Sequence, residues 1–246
     1  MKYNNLLLDI DGTIVGTNNS PAGHDSRLTS KLNEYLEKDG KIGIVTGRSR
    51  FYSSAIYEVF GLNGPRIVEM GSAIVMPDNK IISLNELHQK NEIISMLKRL
   101  GIHKIMMEEP KEFMISLLLN NFPYHDSNRL EEIYDKINEK IRKRFPDIKI
   151  RFDRHSIDIY NPNVNKGEAI KIYAQETNLS LENFAIVGDS MGDFPGFKVI
   201  GEAEGFVGYV GFDEEVAEKV RSFKNNYISR EKRSSGLVEI MDNLLN

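Results

Sequence analysis

The stretch Leu6-Leu7-Leu8-Asp9-Ile10-Asp11-Gly12-Thr13 decides how this chain is read. Its apolar run from Leu6 to Ile10 fits a strand buried on both faces, and Gly12 stops it. Residues two apart on a strand face the same side, so Asp9 and Asp11 are expected to leave the strand end together. Gly12 and Thr13 then turn the backbone and are expected to offer N–H groups to an anion. In an open parallel sheet, ligands bind at the carboxyl ends of the strands. Taken alone, the same pattern also fits a solvated acidic loop.

Working outward, short apolar runs alternate with longer amphipathic ones. That is the pattern of an α/β protein with a doubly wound, Rossmann-like parallel sheet. Residues 25–38 read as a helix with Asp25 at its N-cap, a stripe of Leu28, Leu32, Tyr35 and Leu36, and Gly40 past its end. Residues 41–46 read as a strand, 49–60 as a helix and 66–70 as a third strand, with a hairpin across Pro77-Asp78-Asn79. The texture changes from residue 82. Residues 86–100 and 128–145 read as helices, and 104–107, 113–119, 147–152 and 156–160 as strands, the last two alternating in period two. This order predicts an α+β cap domain at 82–161, inserted between core segments 1–81 and 162–246. The core resumes with a helix from Lys166, strands at 184–187 and near 206–210, and helices near 214–222 and 235–245. The linkers near Ile82 and at 161–165 are candidate hinges.

Composition narrows the function classes. Lys and Arg number 32 and Asp and Glu 36, a net charge of −4, which argues against a dedicated nucleic-acid binder. The chain has no cysteine, so disulfides, thiolate metal sites and a cysteine nucleophile are excluded. Leu6-Leu7-Leu8 is too short for a signal peptide, and no apolar run approaches the roughly 20 residues of a membrane helix. A cytoplasmic protein without nucleic-acid or membrane partners is expected.

Three further features favour a site over an acidic loop. Thr46 ends the second strand and Gly47 follows, placing a hydroxyl and a backbone N–H at the same sheet edge. Lys166 opens a helix, where helix N–H groups and an ammonium can both face a phosphate. Gly188 and Asp189 end the strand at 184–187, with Ser190 next and Asp193 four residues past Asp189. Each alone has a plain reading as a strand-end cap, a surface lysine or a helix cap. In this order, each at an element end, they describe a phosphoryl-transfer site. Carboxylates gathered at one edge repel, and some would protonate without a cation. The histidines are scattered, so all-oxygen ligation by Asp9, the Asp11 carbonyl and Asp189, with Asp193 beside them and water, suits Mg²⁺. Gly12, Thr13, Gly47, Arg48 and Ser190 are the candidate substrate-binding residues.

Asp9-Ile10-Asp11-Gly12-Thr13, Thr46, Lys166 and Gly188-Asp189-Ser190-Met191-Gly192-Asp193 resemble, in order, the four motifs of the haloacid dehalogenase superfamily. The cap falls between the second and third motifs, as in its sugar-phosphatase branch, which it resembles in layout only. The resemblance implies a magnesium-dependent phosphatase acting on a small phosphorylated metabolite. Asp9 would form an aspartyl-phosphate. Asp11 would protonate the leaving oxygen and then deprotonate the attacking water. Mg²⁺, Lys166 and Thr46 would neutralise and orient the phosphoryl oxygens. Two positions depart from the pattern: Gly192 stands for an asparagine, and Met70-Gly71 for Asn-Gly. Gly61-Leu62-Asn63-Gly64-Pro65 is similar to archaeal phosphoglycolate phosphatases. Gly71-Ser72-Ala73-Ile74 and Asp193-Phe194-Pro195-Gly196-Phe197 are similar to mannosyl-3-phosphoglycerate phosphatases. Both substrates carry a carboxylate, for which Arg151, Arg154 and His155 are candidates by position. The rival readings are a phosphosugar mutase or phosphotransferase of the same fold, a phosphorylatable switch module, and a catalytically weak binding protein. A switch module would lack the cap and the second aspartate.

Overall fold

The computed structural model describes residues 1–16, 23–119, 127–153, 156–163 and 165–245. Arg154, His155 and position 164 of the second linker lie outside the described residues. The chain divides into two compact units, Met1–Ile82 with Asn165–Asn246, and Ser83–Val164.

The N-terminal part runs β1 (Asn5–Leu8), α1 (Leu28–Glu37), β2 (Lys41–Val45), α2 (Arg50–Val59), β3 (Arg66–Val68), β4 (Ala73–Val75) and β5 (Ile81–Ser83). The second unit follows with α3 (Lys90–Arg99), β6 (Met106–Glu109), β7 (Ile115–Leu119), α4 (Ser127–Arg144), β8 (Lys149–Asp153) and β9 (Ser156–Tyr160). The chain then continues with α5 (Lys166–Glu176), β10 (Phe184–Gly188), α6 (Phe194–Glu202), β11 (Phe206–Tyr209), α7 (Glu214–Arg221), β12 (Asn226–Ile228) and α8 (Arg233–Leu245).

The first unit is built on one sheet in the order β12-β11-β10-β1-β2-β3-β4-β5. β1 lies inside it, parallel to β10 on one side and β2 on the other, with Leu8 opposite Val187 and Ile44. Leu6, Leu7 and Leu8 are at most 1% exposed, as a strand covered on both faces requires. Winding reverses at β1, so the carboxyl ends of β1, β2 and β10 open on one crevice. The core beneath includes Leu6, Leu8, Ile44, Ala185, Val187 and the Leu28, Leu32 and Tyr35 stripe of α1.

Several boundaries differ from the sequence reading. β1 ends at Leu8 rather than Ile10, because the chain turns at once after Asp9. Asp25 does not cap α1. Its carboxylate takes the Arg27 N–H at 2.9 Å and the Arg27 guanidinium at 2.7 Å, which forms a turn ahead of Leu28. The strand expected over 66–70 stops at Val68, where Glu69–Gly71 make one 3-10 turn with Glu69 at φ 49° and Met70 at φ 61°. The helix expected over 86–100 starts only at Lys90, and part of the strand expected over 104–107 is a 3-10 turn, Ile102–Lys104. α6 and β12 were not anticipated.

The second unit is an antiparallel sheet in the order β6-β7-β9-β8 with α3 and α4. Ile115, Leu117, Ile157 and Ile159 form its core with Ile93, Leu97, Ile137 and Ile141. Strand alternation sends the intervening residues to the other face. There Glu109, Ser116, Asp158 and Arg151 fall in one cross-strand row. Ser116 Oγ donates to Asp158 at 2.6 Å, and Lys111 Nζ lies 3.3 Å from Glu109 and 3.8 Å from Asp158.

Candidate active site

At the end of β1 the Asp9 N–H donates to the Val187 carbonyl at 3.0 Å, carrying the pairing with β10 one residue past the strand. The chain then folds tightly: the Ile10 carbonyl accepts from the N–H groups of Thr13, Ile14 and Val15, and the Gly12 N–H donates to the Val15 carbonyl. Gly12 has φ 82°, and a Cβ there would lie 2.2 Å from Asp189 Oδ2. Backbone conformation and close approach both demand glycine.

At the end of β2 the Arg48 N–H donates to Thr46 Oγ1 at 3.1 Å, which leaves the Thr46 hydroxyl proton free to donate elsewhere. Gly47 follows, and the 3-10 turn of Glu69–Gly71 packs against it, with Met70 sulfur 3.0 Å from where a Gly47 Cβ would stand. That turn also meets the start of α5: Gly71, at φ 96°, leaves no room for a Cβ beside the Asn165 carbonyl. Asn165 caps α5, its Oδ1 accepting from the Gly167 and Glu168 N–H groups at 2.9 and 3.1 Å.

The cap places Lys166 in the first position of α5, where it is buried. Its Nζ donates to Asp9 Oδ1 at 2.8 Å and to Asp193 Oδ1 at 2.6 Å. Asp193 in turn accepts, through Oδ2, from the Asp189 N–H, the Ser190 N–H and the Ser190 hydroxyl, each at 3.1 Å. Asp9, Asp189 and Asp193 bring one carboxylate oxygen each within 4.8 Å of one another.

Burial pushes the Asp9 carboxyl well above its ordinary value, and Asp193 and Asp189 add to the rise while Lys166 opposes it. Burial, with Asp193, raises Asp189 to about 7. Burial would lower the Lys166 ammonium, but Asp193 and Asp9 outweigh it and hold it above the usual lysine range. One ammonium among three clustered carboxylates leaves negative charge uncompensated. The donors are all oxygens, so the set fits a hard divalent cation such as Mg²⁺.

Other expected residues stand differently. Asp11 does not join the cluster, because the period-two rule lapses where β1 ends. Its carboxylate takes Arg48 in a bidentate pair, Nε–Oδ2 2.7 Å and the second nitrogen to Oδ1 2.8 Å. The Arg48 guanidinium also lies 5.0 Å from the Tyr52 ring centre, so in this state it is engaged within the protein. The Gly12 and Thr13 N–H groups, expected to face an anion, are committed inside the turn, and the Thr13 hydroxyl is fully buried without a partner. Among the described residues the N–H groups of Asp11 and Gly47 are left without acceptors at this edge. Ser190 is held by Asp193. Sequence reasoning missed Asn165, although Asn ahead of Lys166-Gly167-Glu168 is a readable N-cap signal. It had no signal for which N–H groups the turn leaves open.

The family model described as sucrose-6F-phosphate phosphohydrolase matches residues 3–243. A phosphoglycolate phosphatase of Staphylothermus marinus is 24% identical over 96% of this chain and 95% of its own length. One from Methanosarcina acetivorans is 23% identical over 98% and 96%. Among solved structures, a haloacid dehalogenase-like hydrolase from Bacteroides thetaiotaomicron superposes with a TM-score of 0.74 at 13% identity, covering 99% of this chain and 100% of that one. The sucrose-phosphatase of Synechocystis, solved with sucrose and phosphate, gives 0.64 at 17% identity over 99% and 98%. These structures share the fold. With its family model matched almost end to end and the mostly parallel sheet in place, the chain belongs to the sucrose-6F-phosphate phosphohydrolase family of haloacid dehalogenase-type phosphatases and is a phosphoric monoester hydrolase.

Proposed function

We propose that this enzyme is a magnesium-dependent phosphatase that hydrolyses a small phosphate monoester through an aspartyl-phosphate on Asp9. The observation that carries the reading is the buried Asp9 carboxylate at the end of β1, bonded through Oδ1 to Lys166 and beside Asp189 and Asp193. Lys166 occupies Oδ1, so Oδ2 is the oxygen that attacks phosphorus. The P–O bond to the alcohol breaks as the new P–O bond forms, and Asp11 gives its proton to the leaving oxygen. Water then attacks the phosphorus of the acyl phosphate, Asp11 takes its proton, and orthophosphate leaves as Asp9 is restored.

Asp11 can act only after its carboxylate is released from Arg48. The Asp11 and Gly47 N–H groups and the Thr46 hydroxyl supply donors for the phosphoryl oxygens, and Lys166 supplies charge. Asp9, the Asp11 carbonyl and Asp189 would hold Mg²⁺, with Asp193 orienting Lys166 and the Asp189–Ser190 turn. The ion's contribution is to neutralise carboxylate and phosphoryl charge together.

Relatives spanning nearly the whole chain are named phosphoglycolate phosphatases, which favours an ester whose alcohol half carries a carboxylate. The family description makes a sugar phosphate the second reading. Orthophosphate release from phosphoglycolate, sucrose 6-phosphate and mannosyl-3-phosphoglycerate, with Mg²⁺ and with excess EDTA, tests this. Turnover is expected with Mg²⁺, without any added acceptor, and fastest on phosphoglycolate. Full activity in EDTA, or release only when a sugar acceptor is present, would overturn it.

A further inference from the structure

At the opposite, N-terminal edge of the core sheet lies an open cavity of about 680 Å³, within the range that takes a small ligand. Lys2, Tyr3, Lys38, Phe206, Lys224 and Asn243 are among its lining residues. The chain carries a net charge of −4, yet among the described residues no carboxylate side chain lines this cavity. The Tyr3 and Phe206 rings stand 5.5 Å apart, tilted by 49°, and Lys2 Nζ lies 4.8 Å from the Tyr3 ring centre. Phe206 is buried beside Tyr3, so the half-buried Tyr3 is the ring that meets the ammonium groups at this cavity.

All three lysines already have partners, Lys2 through the Tyr3 ring. Lys38 donates to the Leu245 carbonyl at 2.9 Å and lies 3.5 Å from Glu34, and Lys224 pairs with Glu204 at 2.7 Å. Their side chains are 45% and 67% exposed. Pairs so exposed are weak, so an entering polyanion can redirect both ammoniums. Tyr3 precedes β1 and Asp9 follows it. The six steps of near-extended chain from Tyr3 to Asp9 span about 20 Å, so this cavity is separate from the carboxylate cluster.

We propose that this cavity binds an aromatic anion of nucleotide type, its planar ring against the half-buried Tyr3 and its phosphates among Lys2, Lys38 and Lys224. The proposal stands apart from the phosphatase reading. Calorimetric titration of the full chain with ADP in EDTA tests it, with pyrophosphate as the ring-free control. Wild type is expected to bind ADP saturably and more tightly than pyrophosphate. The Lys38→Glu/Lys224→Glu variant should bind ADP about tenfold more weakly or worse. Lys38→Arg/Lys224→Arg and Asp9→Asn should both retain wild-type affinity. Phosphate release by the charge-reversed variant should stay within about twofold of wild type, since both positions are surface ones. Absence of ADP binding by wild type would overturn the proposal. So would equal affinity for pyrophosphate, unchanged affinity in the charge-reversed variant, or affinity lost in Asp9→Asn.

Discussion

Gly12 meets two demands at once, a left-handed φ of 82° and an approach to Asp189 that leaves no space for a Cβ. A left-handed alanine alone costs about 1–2 kcal/mol, and displacing Asp189 adds to it. Gly12→Ala is therefore expected to lose at least about 2 kcal/mol in denaturant unfolding and to lower phosphate release. Asp25 shows a charge effect away from the site. The Arg27 guanidinium and N–H hold its carboxyl well below the usual range. A depressed pKa contributes stability above the unfolded value of about 3.9, and the contribution is lost as pH falls through the folded value. Asp25→Asn should therefore lower Tm by a constant amount above about pH 4 and flatten its fall below that, the difference from wild type shrinking as pH drops. At this scale the sequence was partly legible. Asp9, Lys166, Asp189 and Asp193 stand at element ends that apolar runs and glycines mark, and the structure brings them together. The direction of Asp11 was not legible, because strand periodicity says nothing past Leu8. Nor were the open N–H groups, which depend on how the turn closes on the Ile10 carbonyl.

α5 reaches the carboxylates because its first turn is fixed by Asn165, whose side chain satisfies two N–H groups that the helix itself cannot. Asn165→Ala is expected to remove about 1 kcal/mol, seen as a fall in Tm of about 2–4 °C. It should also lower kcat more than it raises KM, because Lys166 loses the anchor of its backbone. Unchanged kcat and KM per folded protein would mean that the cap serves stability alone. Most helices and strands of the core were readable from apolar runs and their spacing. α6 was hidden by Pro195, Gly196 and Gly201, which read as turn residues, although proline is well suited to a first helical turn. β12 was hidden by its length, three residues with half-buried side chains. The early end of β3 follows from the left-handed Glu69 and Met70, which no apolar pattern announces.

The whole chain carries a doubly wound core interrupted by an α+β segment, and the alternation of textures along the sequence shows both. β1 is the strand on which that core depends: Leu7 is 1% exposed between two parallel neighbours. Leu7→Ala should cost about 2–5 kcal/mol in unfolding free energy, with activity lost in proportion to folded protein and not beyond it. The substrate's alcohol half is the least legible part, because residues of the second unit with suitable charge, such as Arg151, lie on strands whose period-two alternation marks burial and not ligands. Phosphate release by Asp9→Asn decides whether Asp9 is the nucleophile. With Mg²⁺ and an unchanged circular dichroism spectrum, the variant should lose about a thousandfold or more in kcat, whereas turnover near the wild-type rate would mean that another group attacks phosphorus.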